Sequence, residues 1–157
     1  MIRPIVLSAL LTSLAAAPMA FASCNTPEPG RFTANDGEIY DSKTGLTWQR
    51  CSVGQTWQAD HCTGSVHALS WDQAKKAGGG QWRLPTKDEL VGLTDTPCGL
   101  SEEGKKLFPD MDALYPMYWS ATAPDAGLAW LVGFNNASTF NGFRTAPNSV
   151  RLVRSSK

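Results

Sequence analysis

The segment from Gln81 to Leu90 places the strongest constraint on the fold, because it combines an extended entry with the start of a helix. Pro85 favours extended geometry for the preceding residue, Leu84. Thr86 and Glu89 have the spacing of a capping box, in which each side chain accepts a hydrogen bond from a backbone N–H at the helix end. The sequence therefore predicts a helix that starts after Thr86. We assign structural roles in this segment to Trp82, Arg83, Pro85, Thr86 and Glu89.

The N-terminal part of the chain has the pattern of a secretory signal peptide. Arg3 precedes an apolar run from Ile5 to Phe21, and a small-x-small cleavage site ends at Ala22. No later segment approaches the roughly 18 apolar residues that a membrane-spanning helix needs. The sequence therefore predicts a periplasmic or secreted protein without a transmembrane segment. The predicted division is residues 1–22 as signal peptide, residues 23–30 as an N-terminal arm and residues 31–154 as one domain.

One alternative concerns Cys24. The segment Phe21-Ala22-Ser23-Cys24 loosely resembles a lipoprotein cleavage box, which would place a lipid on Cys24. Lipidation would leave an odd number of thiols in an oxidising compartment, which is unusual. We therefore favour a signal peptide without lipidation.

The chain has four cysteines, all beyond the predicted signal peptide, and an even number in an exported chain favours two disulfides. Four cysteines allow three pairings. Cys51 and Cys62 bracket a polar, glycine-containing loop, so we pair them with each other and pair Cys24 with Cys98. A zinc site from Cys51, His61 and Cys62 is the weaker alternative, because two of these ligands are adjacent and no fourth ligand lies nearby.

The charge balance argues against two classes of partner. The chain has 14 basic and 14 acidic residues, and the predicted leader contains only one of them, Arg3. Such a chain lacks the excess positive charge of proteins that bind nucleic acids or anionic membranes. Its six tryptophans, all beyond the leader, indicate an aromatic core or aromatic contact surfaces.

Short strands and short helices follow one another along the predicted domain. Residues 31–41 have the pattern of a hairpin around Asp36-Gly37, and residues 46–50 have that of a third strand. Ser70 and Ser101 precede two further short helices. Four β-type segments then occur at residues 118–121, 129–134, 139–141 and 150–154. This order is typical of an α+β fold in which the terminal strands meet in one antiparallel sheet.

Eight short motifs follow one another along the chain: Thr44–Cys51, Gly54–Trp57, Cys62–Gly64, Trp71–Ala74, Trp82–Thr86, Tyr118–Ser120, Ala129-Trp130 and Val150–Arg154. Together they resemble the Legionella collagen-like protein C-terminal domain family, formerly a domain of unknown function. The resemblance implies an exported bacterial domain with a fold similar to C-type lectins and formylglycine-generating enzymes. That fold has an antiparallel sheet, two or three short helices and long disulfide-tied loops. The best-known member is a trimeric adhesin that binds sulfated glycosaminoglycans through basic residues, so the resemblance allows a homo-oligomer.

No residue pattern in the sequence is typical of a catalytic or metal site. His61 and His67 are the histidines available as bases, and no nucleophile-elbow motif accompanies them. Asp110 and Asp112 could offer oxygens to calcium, but the further ligands and the glycine of a calcium loop are missing, which favours a solvated acidic turn. We therefore assign no catalytic residue, no metal and no cofactor.

Loops and strand ends supply the predicted ligand-binding surface. Its residues are Trp57, Asn135, Asn136, Phe143 and Arg144. Sugars bind such surfaces because their apolar C–H faces stack on aromatic rings. We expect Arg144 to be exposed and Phe140 to lie in the core, and we expect Arg83 to bond loop carbonyls rather than a ligand.

These patterns predict an exported, non-catalytic binding module that recognises a cell-surface glycan or an envelope protein. A small extracytoplasmic hydrolase is one alternative, and it predicts paired carboxylates in a pocket. A structural component of the cell envelope is the other alternative.

Overall fold

The structure, a computed structural model, describes residues 29–94, 96, 98–112 and 117–156. The predicted signal peptide, most of the predicted N-terminal arm, and Cys24 with its lipidation alternative lie outside the described residues. The elements are β1 (Phe32–Asn35), β2 (Glu38–Asp41), β3 (Leu46–Gln49), β4 (Gln55–Gln58), β5 (His61–Gly64), α1 (Trp71–Lys76), α2 (Lys87–Leu93), α3 (Glu102–Leu107), a 3-10 helix (Pro109–Asp112), β6 (Met117–Trp119), β7 (Leu128–Gly133), β8 (Ser138–Phe143) and β9 (Val153–Ser155).

The strands of the described residues form three antiparallel sheets. The first has the order β1-β2-β3-β9, the second pairs β4 with β5, and the third has the order β6-β7-β8. Thr47 on β3 lies opposite Arg154 on β9, so early and late strands of the domain meet in one sheet. The prediction of an α+β fold with antiparallel sheets and short helices is confirmed. The likeness to C-type lectins stays a prediction.

One segment differs from its prediction. Residues between Cys51 and Cys62 were expected to form a loop, but β4 and β5 pair there as a hairpin whose turn places Ala59 at a φ of 59°. One face of this hairpin is half-buried through Gln55, Trp57 and Cys62, and the other is largely exposed, but polar residues occur on both faces. It therefore lacks the apolar and polar alternation that marks a half-buried strand in a sequence.

Two apolar clusters fill the interior. The first contains Trp48 from β3 together with Leu90 and Leu93 from α2, and all three side chains are buried. The second surrounds Trp119 from β6, and Trp82 packs against it as a partly buried residue. The core thus supports both the four-stranded sheet and the segment that leads into α2.

The start of α2 shows the capping box that the sequence predicts. The Glu89 backbone N–H donates to Thr86 Oγ1 at 3.2 Å, and the Thr86 backbone N–H donates to Glu89 Oε2 at 2.8 Å. Glu89 also accepts both arms of the Arg83 guanidinium, at 2.8 and 2.7 Å. We expected Arg83 to bond loop carbonyls, but its main partner is the Glu89 carboxylate. Its hydrogen bond to the Leu84 carbonyl is longer, at 3.4 Å.

Replacing Thr86 with alanine should lower the free energy of unfolding by about 1 kcal/mol, because the N-cap acceptor is lost. Urea unfolding followed by circular dichroism measures this change. Thr145→Ala is the matched control, since Thr145 is exposed in a turn outside the helices. Equal effects of the two substitutions would contradict a stabilising role for the cap.

Candidate functional site

A polar groove of about 700 Å³ lies at one end of strands β1, β2 and β3, where β1 and β3 end and β2 begins. We call it the tryptophan groove. Its described lining residues are Asn35, Asp36, Gly37, Glu38, Gln49, Cys51, Gln55, Thr56, Trp57 and Trp82. They come from the β1–β2 turn, the end of β3, the β4–β5 hairpin and the entry to α2. Its size falls within the range of small-molecule binding sites in proteins.

Two tryptophans line this groove, and an arginine holds each ring. The Arg50 guanidinium lies 3.6 Å from the ring centroid of Trp57, and the Arg154 guanidinium lies 5.2 Å from that of Trp82. Both tryptophans remain partly exposed. Cations over an indole face are attracted by the ring quadrupole. The two indoles are therefore held in place while part of each ring stays available in the groove.

The Cys51–Cys62 disulfide fixes the hairpin that carries Trp57. The two Cα atoms are 5.6 Å apart, and Trp57 lies directly opposite Cys62 in the strand pairing. The opposite side of the groove approaches so closely that a Cβ atom on Gly37 would lie 3.2 Å from Trp57 Cβ. A residue larger than glycine at position 37 would therefore crowd the indole.

Cys98 is also part of a disulfide. Its predicted partner, Cys24, lies outside the described residues.

Hydrogen-bonding groups complete the wall of the tryptophan groove. Asn35, Gln49 and Gln55 contribute amides, and Asp36 and Glu38 contribute carboxylates. Gln55 Oε1 is a buried acceptor, and it has no hydrogen-bond partner among the described residues. Buried polar atoms without partners are uncommon in folded proteins and call for an explanation.

A second hollow of about 370 Å³ adjoins the groove. We call it the tyrosine hollow. Its described lining residues are Asn35, Glu38, Tyr40, Thr47, Arg154 and Ser156, so it shares Asn35 and Glu38 with the tryptophan groove. Arg154 donates to Glu38 Oε2 at 2.6 Å. This ion pair lies where the two spaces meet, on the outward face of the sheet.

A buried polar network supports the sheet end behind the groove. Arg151 is fully buried, pairs with Asp110 and donates to the Gln49 carbonyl at 2.7 Å. Asp110 also accepts from the Ser52 backbone N–H at 2.8 Å, and Ser52 Oγ lies 2.9 Å from the Tyr118 hydroxyl. Burial raises the pKa of Tyr118. Burial alone would lower the pKa of Arg151, but the charges and hydrogen bonds of Asp110 and Tyr118 together outweigh burial, and the pKa is raised.

A second buried pair joins the sheet to α2. Asp41 accepts from Arg31 Nε at 2.9 Å and from Nη2 at 2.8 Å. Arg31 also donates to the carbonyls of Gly92 and Thr94 at the end of α2, the latter at 3.1 Å. Burial alone would raise the pKa of Asp41, but the hydrogen bonds and charge of Arg31, with the hydrogen bond from Thr44, lower it overall.

The structure separates the five residues of the predicted ligand-binding surface. Trp57 lies in the tryptophan groove. Asn135 and Asn136 lie in the β7–β8 turn, whereas Phe143 ends β8 at the other end of that hairpin. The length of β8 puts the two hairpin ends about 16 Å apart. These residues therefore do not form one surface, although Phe143 is 73% exposed.

Arg144 and Phe140 both differ from their predictions. Arg144 is half-buried, donates to the Leu128 carbonyl at 3.1 Å and lies 4.0 Å from the ring centroid of Trp71. Its guanidinium is held by the fold because it stacks on an indole and bonds backbone carbonyls. Phe140, expected in the core, is 51% exposed because it lies on the edge strand β8.

Sequence patterns missed most of the tryptophan groove. Trp82 was assigned only a structural role, and Asn35, Glu38 and Gln49 were not selected. One pattern could have indicated Glu38: Ile39 is buried on β2, so Glu38 and Tyr40 on either side must point outwards. The sequence does not show that Trp57 and Trp82 line the same space, because this depends on how distant segments pack.

The described residues contain no group of three or more His, Cys, Asp or Glu side chains that could hold a metal ion. The zinc alternative is excluded because Cys51 and Cys62 form a disulfide. The carboxylate of Asp110 is engaged by Arg151 and Ser52 rather than left to solvent. The interpretation of Asp110 as part of a solvated acidic turn is therefore wrong.

Within the part of the chain that the structure describes, no helix has the length and apolar character to cross a membrane.

Comparison with known proteins identifies the family. No curated protein sequence matches the chain. The family model of the Lcl C-terminal domain matches residues 37–154, which run from the β1–β2 turn into β9. The match includes the lining of the tryptophan groove and of the tyrosine hollow apart from Asn35, Asp36 and Ser156. The chain therefore belongs to the Lcl C-terminal domain family.

Proposed function

We propose that this protein is a non-catalytic binding module that recognises a carbohydrate in the tryptophan groove. The observation that carries the proposal is the presence of two partly exposed indoles, Trp57 and Trp82, in one polar groove. Sugars present apolar C–H faces that pack on aromatic rings and hydroxyl groups that need hydrogen-bond partners. The groove offers both kinds of contact.

The amides and carboxylates beside the rings suit hydroxyl groups. Asn35, Gln49 and Gln55 can each donate and accept, and Asp36 and Glu38 accept only while ionised. A few placed polar groups in a concave site fix the orientation of a ligand. Gln55 Oε1 is a buried acceptor in the groove wall that lacks a donor among the described residues.

Rigid support of the indoles favours binding over a merely structural role. Arg50 lies against Trp57, and the Cys51–Cys62 disulfide ties the hairpin beneath it. Arg154 lies against Trp82. A site that is already ordered loses less conformational entropy when it binds. The groove is therefore organised before a ligand arrives.

The disulfide and the family also support an extracytoplasmic location. Disulfides persist in oxidising compartments and are rare in the cytosol. We propose that the protein is exported to the periplasm or secreted, where a cell-surface glycan would be within reach. Detection of the mature protein in periplasmic or culture fractions tests this location.

A carboxylate-based hydrolase is the second candidate, because Asp36 and Glu38 line the same groove. Glycosidases use two carboxyl groups that flank the scissile bond. Here the two carboxylates come from one β-turn, and Glu38 is already paired with Arg154. If the wild-type protein releases reducing sugar from a glycan and both Asp36→Asn and Glu38→Gln abolish this release, the hydrolase is favoured.

Replacing Trp57 with alanine should weaken carbohydrate binding about tenfold or more, because central tryptophans contribute much of the binding energy in recognition sites. A glycan array identifies ligands, and titration calorimetry then measures the dissociation constants of the variants. Trp57→Phe should retain part of the affinity because it keeps a ring. Phe143→Ala is the matched control, since Phe143 is an exposed aromatic residue outside the groove.

Two results would contradict the proposal. One is carbohydrate binding that Phe143→Ala abolishes and Trp57→Ala leaves unchanged. The other is that the protein binds no glycan on the array and instead co-purifies with an envelope protein. That second result would favour the structural envelope component.

A further inference from the structure

We propose that the tryptophan groove and the tyrosine hollow form one cleft, which binds an uncharged or amine-bearing saccharide of at least two rings and disfavours sulfated and uronic-acid chains. The inference rests on the proposed carbohydrate-binding function and specifies its ligand. Three observations support it: the continuity of the two spaces, the negative charge that lines the tryptophan groove, and the engagement of the nearby arginines, of which Arg154 also lines the tyrosine hollow.

The outward face of the four-stranded sheet forms a continuous floor. Glu38 lies opposite Gln49 in the strand pairing, and two residues further along, Tyr40 lies opposite Thr47. The first of these pairs lines the tryptophan groove and the second lines the tyrosine hollow. Successive outward residues on a strand are about 7 Å apart. The cleft therefore has two adjacent positions rather than one.

Each position offers an aromatic ring. Trp57 and Trp82 serve the first, and Tyr40, which is 40% exposed, serves the second. Pyranose rings stack on aromatic faces through their C–H groups. The arrangement fits two linked sugar rings that lie along the strands, with the Glu38–Arg154 pair beneath the link.

The described lining of the tryptophan groove carries negative charge alone. Asp36 and Glu38 contribute carboxylates, and the lining contains no lysine or arginine. Asp36 forms no direct ion pair among the described residues, although its charge acts on the nearby Arg50 guanidinium. A sulfate or a uronic carboxylate placed there would face like charge, which disfavours binding, whereas an ammonium group would be attracted.

The two arginines closest to the groove are already engaged. Arg50 lies over Trp57 and donates to the Leu107 carbonyl at 2.9 Å. Arg154 lies over Trp82 and donates to Glu38. An anionic ligand that recruited either guanidinium would have to displace these contacts. The positive charge of both arginines thus serves to hold the aromatic rings.

A saccharide array with matched charge series tests the inference. Ladders of β-1,4-linked glucose, galactose, mannose and N-acetylglucosamine are presented with one to four rings, each unmodified, with a free amine, with a uronic carboxylate and with sulfate. In the best-binding ladder, two rings should bind more tightly than one. The affinity for uncharged or amine-bearing forms should be higher than that for sulfated forms by a factor of about ten or more. The difference from sulfated forms should shrink as salt is raised, because salt screens charges.

Two variants separate the parts of the inference. Asp36→Lys should weaken binding of the amine series and strengthen binding of the sulfated series, whereas Glu103→Lys, an equal charge change on exposed α3, should leave both unchanged. Tyr40→Ala should reduce the affinity for two rings to that for one ring. Phe140→Ala is its control, because Phe140 is comparably exposed and lies outside both spaces.

The outcomes distinguish this inference from the proposed function. Sulfated forms that bind as tightly as uncharged forms, through a site that Trp57→Ala disrupts, would overturn the ligand class and leave the binding module standing. Equal affinity for one and two rings would overturn the two-position cleft. Absence of any saccharide binding that depends on Trp57 would overturn the proposed function and the inference with it.

Discussion

Replacing Asp110 with asparagine is expected to lower the free energy of unfolding by about 3–5 kcal/mol, because it leaves a buried arginine without its counter-charge. Arg151 is fully buried and its guanidinium pairs with Asp110. Asp110 also holds Ser52 through the backbone N–H at 2.8 Å. Since a domain of this size is stable by only about 5–15 kcal/mol, the loss should be visible in urea unfolding.

The cause of this loss can be checked with two further variants. Asp72→Asn is the matched control: Asp72 forms an ion pair with Lys75, but its side chain is 71% exposed, and exposed pairs contribute about 0–1 kcal/mol. A double change of Asp110 to leucine and Arg151 to methionine should recover much of the stability, because it removes both charges together. Equal losses in Asp110→Asn and Asp72→Asn would contradict an essential buried pair.

Replacing Asp41 with asparagine should have an effect of similar size, about 3–5 kcal/mol at neutral pH, with an additional pH signature. The carboxylate of Asp41 is buried against Arg31, and its pKa is lowered in the folded protein. A group with a lowered folded-state pKa stabilises fully above its unfolded pKa, which is about 3.9 for aspartate. This stabilisation is lost as the pH falls through the folded-state pKa. The difference in unfolding free energy between the two proteins should therefore narrow as the pH is lowered from 7 towards 2.

A second carboxylate provides the control for this pH profile. Glu89 also has a lowered pKa, chiefly through its hydrogen bonds from Arg83, but this pair is more exposed than the Arg31–Asp41 pair. Solvent screening makes exposed pairs weaker. Glu89→Gln should therefore change stability less than Asp41→Asn. Parallel pH profiles of wild type and Asp41→Asn would show that Asp41 does not contribute to acid sensitivity.

Local features of the fold could be predicted from sequence because their causes lie within a few residues. Thr86 and Glu89 are three positions apart, and the helix that they cap forms where that spacing predicts it. The Asp36-Gly37 turn likewise joins the two strands that flank it. The Cys51–Cys62 disulfide closes a short segment of 11 positions, so local pairing was the natural choice.

The buried ion pairs could not be predicted, because charged residues are almost always exposed unless they are paired. Asp41 finds Arg31 across the β1–β2 hairpin, and Arg151 finds Asp110 across 41 positions of sequence. Nothing in the immediate surroundings of these residues distinguishes them from solvated charges. Only the tertiary packing shows which arginines have a counter-charge inside the protein.

The candidate site was partly predicted and mostly missed for the same reason. Trp57 was selected as an aromatic residue in a loop, and it lies in the groove. Trp82 was assigned to the architecture, although it also lines the groove. Arg144 was selected as an exposed cation, but the Leu128 carbonyl and Trp71 hold it in place. Residue type indicates what a side chain can bind, whereas packing decides whether it is free to do so.

The β3–β9 pairing has a consequence for how the protein folds. Glu38 and Arg154, which meet on the cleft floor, are 116 positions apart in the chain. A growing polypeptide therefore cannot assemble the cleft until β9 has been synthesised, and such long-range pairing slows folding. A ligand that requires the finished floor would bind only the folded state and would stabilise it by about 2.7 kcal/mol at one hundred times its dissociation constant. Ligand binding would thereby stabilise the pairing of β9 with β3.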